Sequence, residues 1–149
     1  MKIAIGADHA GFNLKEVLKK YLEKQGHEVI DFGTYSTESI DYPDYALKVS
    51  LSVKNKEVTY GILVCYTGIG MSITANKVDG VKAALVTSEE NAKLTREHNN
   101  SNILCLGAKD IQAPLACKIA DIFLNTPFLG GRHERRVNKI DEVEKTHGN

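Results

Sequence analysis

The chain has 149 residues, and 42% of them are hydrophobic, which is enough to bury the core of one ordinary domain. Nineteen basic side chains balance nineteen acidic ones, so nothing global favours a nucleic acid or an anionic membrane as a partner. The N-terminal apolar run is too short for a signal peptide, no window approaches a membrane span, and three cysteines without paired spacing suggest reduced thiols. These features predict a cytoplasmic protein.

The first half of the chain predicts two strands joined by a helix, then a second helix and a buried strand. Residues 2–6 and 28–33 are short β-rich runs. The helix between them carries apolar residues at helical spacing, namely Leu14, Val17, Leu18, Tyr21 and Leu22. A second helix follows the turn at 41–43, with a stripe of Tyr45, Val49 and Val53. Residues 60–65 form the continuous apolar run of a buried parallel strand.

The second half continues the same alternation. The pattern predicts a helix over 70–77, a strand over 81–86, a helix over 88–99 capped by Ser88, a strand over 102–107 and a helix over 111–125. A break at 127–131 precedes a charged terminal helix over 132–145 with an apolar stripe of Val137, Ile140 and Val143.

Five strands separated by helices predict a single α/β domain over 1–149 with a doubly wound parallel sheet. Ligands of such sheets bind beyond the carboxyl ends of the strands. Asp8 and His9 follow the first strand, and residues 65–70 follow the third. We therefore expect these residues to lie near the ligand crevice at the carboxyl ends of the strands.

The turn at residues 67–70 offers small residues and the unpaired N–H groups of a helix start. It suits either a ligand phosphate or an oxyanion that develops during a reaction. Phe12 and Ile73 interrupt the two familiar phosphate motifs, which weakens standard nucleotide binding. Glu89 lies about 20 residues after Gly68, as a ribose-binding acid would, so dinucleotide binding remains a rival.

Several polar residues have both a functional and an ordinary interpretation. Cys65 is either a space-filling core thiol or a thiolate stabilised by the helix start, able to take a proton or attack carbon. His98 is either a site residue or a helix C-terminal histidine. Arg132 and Arg136 are four apart and could grip one phosphate, or form a solvated basic face. Cys105 and Cys117 are read as space-filling.

No set of His, Asp, Glu and Cys residues has the spacing of metal ligands, so the sequence favours proton transfer over a metal-assisted hydride shift.

Taken together, six motifs resemble the type B ribose-5-phosphate isomerases, whose family also holds the galactose-6-phosphate isomerase subunits. The matches run nearly end to end, and they comprise GADHAG (6–11), DYPDYA (41–46), TGIGMS (67–72), ANK (75–77), REHN (96–99) and GGRH (130–133) with Arg136.

The resemblance implies a Rossmann-like three-layer αβα sandwich with a five-stranded parallel sheet and an extra C-terminal helix, about 131–146, at a subunit interface. It implies a homodimer or a dimer of dimers, with each active site built between subunits. It also implies interconversion of ribose 5-phosphate and ribulose 5-phosphate through an enediolate, with no cofactor and no metal.

The resemblance assigns roles by position. Cys65 is the base, His98 helps to open the sugar ring, and Thr67 stands with them as a catalytic residue. The remaining roles are substrate binding by Asp8, His9, Tyr42, Gly68, Ile69, Gly70, Met71 and Asn99, with an anion hole of backbone amides over 67–71, and phosphate binding by His9, Arg132 and Arg136.

Three departures from the family pattern stand out. Tyr66 replaces a usual glycine, and it would be strained if that position needs a positive φ. Asn100 replaces a usual Asp, and Lys109 replaces a common arginine and so lacks its bidentate geometry. Alternatives are an isomerase of allose or galactose 6-phosphate, a non-catalytic sugar-phosphate or nucleotide-binding module, and a subunit that needs a different partner chain.

Overall fold

The computed structural model describes residues 1–148, which form an alternating series of strands and helices. The strands are β1 (Lys2–Ala7), β2 (Glu28–Asp31), β3 (Tyr60–Cys65), β4 (Ala83–Leu85) and β5 (Ile103–Gly107). The helices are α1 (Phe12–Lys24), α2 (Tyr42–Lys54), α3 (Ile69–Ala75), α4 (Glu89–Asn99), α5 (Ala113–Asn125) and α6 (Arg132–His147).

All strand pairs are parallel, and the sheet order is β2-β1-β3-β5-β4. Helices α1, α4 and α5 cover one face of the sheet, whereas α2 and α3 cover the other. The predicted α/β fold with three layers and five parallel strands is confirmed. No helix within residues 1–148 has both the length and the apolar character needed to cross a membrane.

Strands β1 and β3 are neighbours in the sheet, but their following helices leave on opposite faces. This divergence opens a crevice at the carboxyl ends of the two strands. We call that end of the sheet the carboxyl edge, and the opposite end the amino edge. The turns after β1 and β3 therefore lie together at the carboxyl edge.

Helix α1 differs from the prediction at one position. Val17 is 44% exposed, because the buried stripe runs through Leu14, Leu18 and Leu22, four residues apart. The other residue that α1 buries is Lys15, which is fully inaccessible. Its ammonium nitrogen lies 2.7–2.8 Å from both carboxylate oxygens of Asp31 and 2.7 Å from the Thr34 carbonyl.

The remaining boundaries shift by small amounts. Strand β2 stops at Asp31 instead of reaching position 33, and β4 covers only Ala83–Leu85. Helix α3 starts one residue early, at Ile69. In α6, Val137 is buried, but Ile140 and Val143 are 48% and 56% exposed, so the predicted apolar stripe is only partly covered within the described chain.

Candidate active site

Cys65 is the last residue of β3, and its side chain lies at the carboxyl edge, 5% exposed. The Gly68 N–H donates a hydrogen bond to the Cys65 sulfur at 3.1 Å. A main-chain donor aimed at sulfur stabilises the thiolate, the form that accepts a proton or acts as a nucleophile. The local fold thus places a main-chain donor directly against the sulfur at the end of β3.

The glycine turn, which we define as residues 67–71, holds this donor in place through close packing. Gly68 has φ +79°, and a β-carbon there would lie 2.6 Å from Leu85 Cδ1 and 2.9 Å from the Leu106 carbonyl carbon. Only glycine fits both the conformation and the space. The turn therefore carries its amides at a fixed distance from the end of β3.

The amides of the glycine turn do not all face a ligand, which corrects one expectation. The Gly68 amide is used by the sulfur, and the Ile69 N–H donates to Thr67 Oγ1 at 3.2 Å. The first helical bond of α3 runs from the Ser72 N–H to the Gly68 carbonyl. Within residues 1–148, the amides of Gly70 and Met71 donate to no acceptor, so these two amides are the ones available to an oxyanion.

The expected strain at Tyr66 is absent. Among residues 1–148, the only residues other than glycine with positive φ are Lys56 and Asn100. Tyr66 is 57% exposed, and its carbonyl accepts a hydrogen bond from the Lys109 N–H at 2.9 Å. The turn accommodates the tyrosine because its left-handed residue is Gly68.

Asn100, another departure from the family pattern, ends α4 in a left-handed conformation with φ +52°. Asparagine tolerates this conformation better than most residues, so its presence fits the local backbone.

Asp8 and His9 follow β1 directly beside the glycine turn. The buried Asp8 carboxylate accepts the Gly11 N–H at 2.9 Å, and the Asp8 N–H donates to the Val64 carbonyl at 3.2 Å. The Ile40 N–H donates to His9 Nδ1 at 3.2 Å. In the neutral ring the proton therefore resides on Nε2, which can donate to an anionic oxygen.

Tyr42 begins α2 and covers the start of α3. A β-carbon at Gly70 would lie 2.4 Å from Tyr42 Cε1, so the phenol ring packs directly on the glycine turn. The carboxyl edge thus brings together one group of the predicted site residues: Asp8, His9, Tyr42, Cys65, Thr67, Gly68, Ile69, Gly70 and Met71.

The other predicted residues, His98, Asn99, Arg132 and Arg136, lie where the end of α4 meets the start of α6. The His98 and His133 rings stack with centroids 4.3 Å apart and planes 13° apart. The Leu129 N–H donates to the Glu97 carbonyl at 3.2 Å, which ties the segment before α6 to α4. Partial burial lowers the pKa of His133, and the positive charges of its neighbours His98, Arg132 and Arg136 lower it further, with Glu97 opposing them.

These two groups occupy opposite edges of the sheet. The Arg96 guanidinium lies 4.9 Å from the Tyr60 ring centroid, which places the end of α4 at the first residue of β3. Cys65 is the last residue of the same strand, and at about 3.3 Å per residue the two ends are about 16 Å apart. One chain therefore does not bring Cys65 and His98 together.

Sequence reasoning assigned no role to Lys15, Arg96 or His133. The sequence pattern of α1 does not predict that Lys15 is buried, because a lysine beside an apolar stripe usually keeps its charged end in solvent. Arg96 and His133 lie inside two of the quoted motifs, REHN and GGRH, but their contacts depend on chain segments far away in sequence.

Residues 1–148 contain no group of three or more His, Cys, Asp and Glu side chains placed to hold a metal ion. The groups that the carboxyl edge does offer are a thiol, an imidazole, a carboxylate, a phenol, a hydroxyl and main-chain donors.

A protein-family model described as ribose/galactose isomerase matches residues 3–140. This chain belongs to the ribose/galactose isomerase family. The ribose-5-phosphate isomerase B of Escherichia coli (strain K12) is 45% identical over 144 residues, covering 97% of each chain.

Two solved structures of the family superpose closely. The ribose-5-phosphate isomerase B of Clostridium thermocellum is 51% identical with a TM-score of 0.98, covering 99% of this chain and 100% of the other. The enzyme from Mycoplasma genitalium, solved with bound ribulose-5-phosphate, is 44% identical with a TM-score of 0.93, covering 97% and 96%.

Proposed function

We propose that this protein is an aldose-ketose isomerase that interconverts ribose 5-phosphate and ribulose 5-phosphate by proton transfer, without a metal ion. The observation that carries the proposal is the Gly68 N–H at 3.1 Å from the Cys65 sulfur, beside the amides of Gly70 and Met71, which donate to no acceptor in the described part of the chain. Membership of the ribose/galactose isomerase family supports the reaction class. The bound ribulose-5-phosphate in the Mycoplasma genitalium relative supports the substrate.

The chemistry follows from these groups. The Cys65 thiolate takes the proton from C2 of the open-chain aldose, and the electron pair becomes an enediolate with negative charge on oxygen. The amides of Gly70 and Met71 stabilise that charge by a few kcal/mol, as main-chain donors do in preorganised sites. A proton then moves from O2 to O1 of the enediolate, and the thiol returns its own proton to C1, which yields the ketose.

The polar side chains of the carboxyl edge bind the rest of the sugar. Asp8 and Tyr42 contact its hydroxyl groups, and Nε2 of His9 donates to the phosphate. Thr67 supports the turn, since its hydroxyl accepts the Ile69 N–H. The site needs in addition a group that opens the furanose ring and cations that bind the phosphate.

A second copy of the chain supplies those groups. His98 opens the ring, Asn99 supports the reacting oxygens, and Arg132 and Arg136 bind the phosphate, all from the amino edge of the neighbouring subunit. A homodimer explains why one chain separates Cys65 from His98, and two dimers could associate further into a tetramer.

The free thiols support a cytoplasmic, reducing location.

The exposed apolar residues of α6 support the same assembly. A groove of about 480 Å³ is lined by Asn99 of α4, by Ile140 and Val143 of α6, and by the start of β4. We propose that α6 lies at the subunit interface, where these side chains would be covered.

Assay of the purified protein on ribose, allose and galactose phosphates, with and without a chelator, tests the proposal. We expect the highest kcat/KM on ribose 5-phosphate and no effect of the chelator. A higher kcat/KM on allose 6-phosphate or galactose 6-phosphate would show that the substrate is a six-carbon sugar phosphate. Binding of a sugar phosphate without turnover on any of them would favour the non-catalytic module.

A further inference from the structure

Arg96 has a buried, multiply bonded guanidinium close to the proposed ring-opening histidine. The residue is 5% exposed and lies two positions before His98 on α4. Nε donates to the Thr126 carbonyl at 3.1 Å, and Nη1 donates to Asn100 Oδ1 at 3.0 Å and to the Ser101 carbonyl at 2.6 Å.

These acceptors belong to two separate parts of the chain, the connection between α4 and β5 and the end of α5. Asn100 caps α4, Ser101 leads into β5, and Thr126 follows the end of α5. The guanidinium also lies 4.9 Å from the Tyr60 ring centroid and 5.8 Å from that of Phe123. One side chain thus joins the end of α4 to the segment that leads into α6.

No carboxylate of residues 1–148 lies within ion-pair distance of Arg96. Burying a cation without a counter-ion costs free energy that an apolar side chain would not cost. Its planar fork of donors, however, holds three carbonyl or amide oxygens in one rigid geometry, whereas the ammonium group of lysine is a compact point charge without that fork and an apolar residue has no donor. Arg96 therefore fixes the positions of the chain segments that it binds more than it raises the free energy of unfolding.

The two segments that Arg96 joins carry the stacked histidines His98 and His133. The segment after Thr126 bonds to α4 through the Leu129 N–H and the Glu97 carbonyl, and then begins α6 with Arg132 and His133. His98, from α4, stacks on His133, from α6. If the two helices shifted relative to each other, the His98 ring would lose this support.

We propose that Arg96 is a positioning residue that acts through His98, by locking the end of α4 against the start of α6. This inference rests on the proposed isomerase function. The Arg96 side chain is buried and donates to main-chain and amide oxygens within the fold.

A double-mutant cycle tests the proposal. Arg96→Lys keeps the charge but loses the fork, and we expect kcat/KM on ribose 5-phosphate to fall by about 10-fold to 100-fold, as misplacement of a catalytic group does. In a His98→Asn background the same change should cost less than about 3-fold, because residues that act as a unit are not additive. The matched control is Arg135→Lys on the exposed side of α6, which should leave turnover unchanged.

An equal loss in both backgrounds would overturn the proposal, because a purely structural defect lowers the active fraction regardless of His98. No loss in the wild-type background would also overturn it. Should Arg96→Lys fold poorly, Asn100→Gly removes one acceptor and keeps the left-handed backbone. It should show the same dependence on His98 with a smaller effect.

Amide hydrogen exchange provides a readout that does not need activity. Arg96→Lys should accelerate exchange at the Leu129 amide while the amide of Ile62 in β3 exchanges as in the wild type. Equal acceleration at both, or none at Leu129, would contradict a local positioning role. If the wild-type protein turned over no sugar phosphate, the proposed function would fail, and exchange alone would decide whether Arg96 locks the two helices.

Discussion

Two cysteines of this sheet show how position changes the chemistry of one residue type. Cys105 lies inside β5, opposite Leu63 of β3, and it is fully buried. Burial, with a smaller contribution from Cys65, raises the pKa of the Cys105 thiol, so it stays protonated and inert. Cys65 ends β3 instead and receives the Gly68 N–H. A cysteine in this sheet is therefore placed for chemistry by its position at the end of a strand, next to a main-chain donor.

Cys65→Ala tests this difference. We expect kcat to fall by about 10² or more, because a general base is removed, while ribose 5-phosphate still binds. Steady-state kinetics and calorimetric titration measure the two quantities. Cys105→Ala removes the same atoms from the neighbouring strand and should lose stability without losing turnover. Comparable loss of turnover in both variants would point to a packing defect.

His133 has a pKa below the ordinary value of about 6.5, because partial burial and then the positive charges of His98, Arg132 and Arg136 disfavour its imidazolium. A pH titration of its ring protons by NMR should show this, and Arg136→Ala should raise the pKa. Since the folded state disfavours the proton, this group makes folding less favourable as the pH falls below about 6.5. A pKa above 6.5 would contradict the stacked, cation-rich environment.

At the scale of elements, the β3–α3 connection combines a strand end, a left-handed glycine and a short helix in one compact unit. The Gly107 backbone packs against it, since a β-carbon at Gly107 would lie 2.5 Å from the Thr67 carbonyl oxygen. The turn is therefore held by β5 as well as by its own hydrogen bonds. Any side chain at Gly68 should move the donor away from sulfur.

Gly68→Ala should reduce both stability and turnover, because the positive φ and the contact with Leu106 each oppose a side chain. The strain alone costs about 1–3 kcal/mol. Gly26→Ala is the matched control, with φ +91° and no neighbour within 4 Å. Denaturant unfolding and kinetics should show a stability loss in both variants but a loss of turnover only at Gly68. Full activity of Gly68→Ala would show that turnover does not depend on the conformation of the glycine turn.

Much of the fold could be predicted because the strands are continuous apolar runs and the helices carry regular apolar spacing. Ser88 also caps α4 as expected, accepting the Asn91 N–H at 3.1 Å. Val17 and Lys15 could not be predicted, since the helical spacing fits both arrangements and the choice depends on Asp31, 16 residues away. Strand order, which decides where each site residue lies, has no local signal at all.

At the scale of the whole molecule, the candidate site is divided between the two edges of one sheet. The proposed base Cys65, its Gly68 donor and the amides of Gly70 and Met71 lie at the carboxyl edge, while His98 and the arginines lie at the amino edge. Two copies related by a two-fold axis would bring each edge against the opposite edge of its partner, which creates two equivalent sites. Exposed Ile140 and Val143 on α6 are consistent with such an interface.

Subunit complementation tests this division most directly. Cys65→Ala and His98→Asn should each be nearly inactive alone. After the two variants are unfolded, mixed and refolded together, about a quarter of the wild-type turnover should return, because half of the dimers are mixed and each has one intact site. If differently tagged copies purify together as mixed dimers and no activity returns, Cys65 and His98 do not meet across a subunit interface.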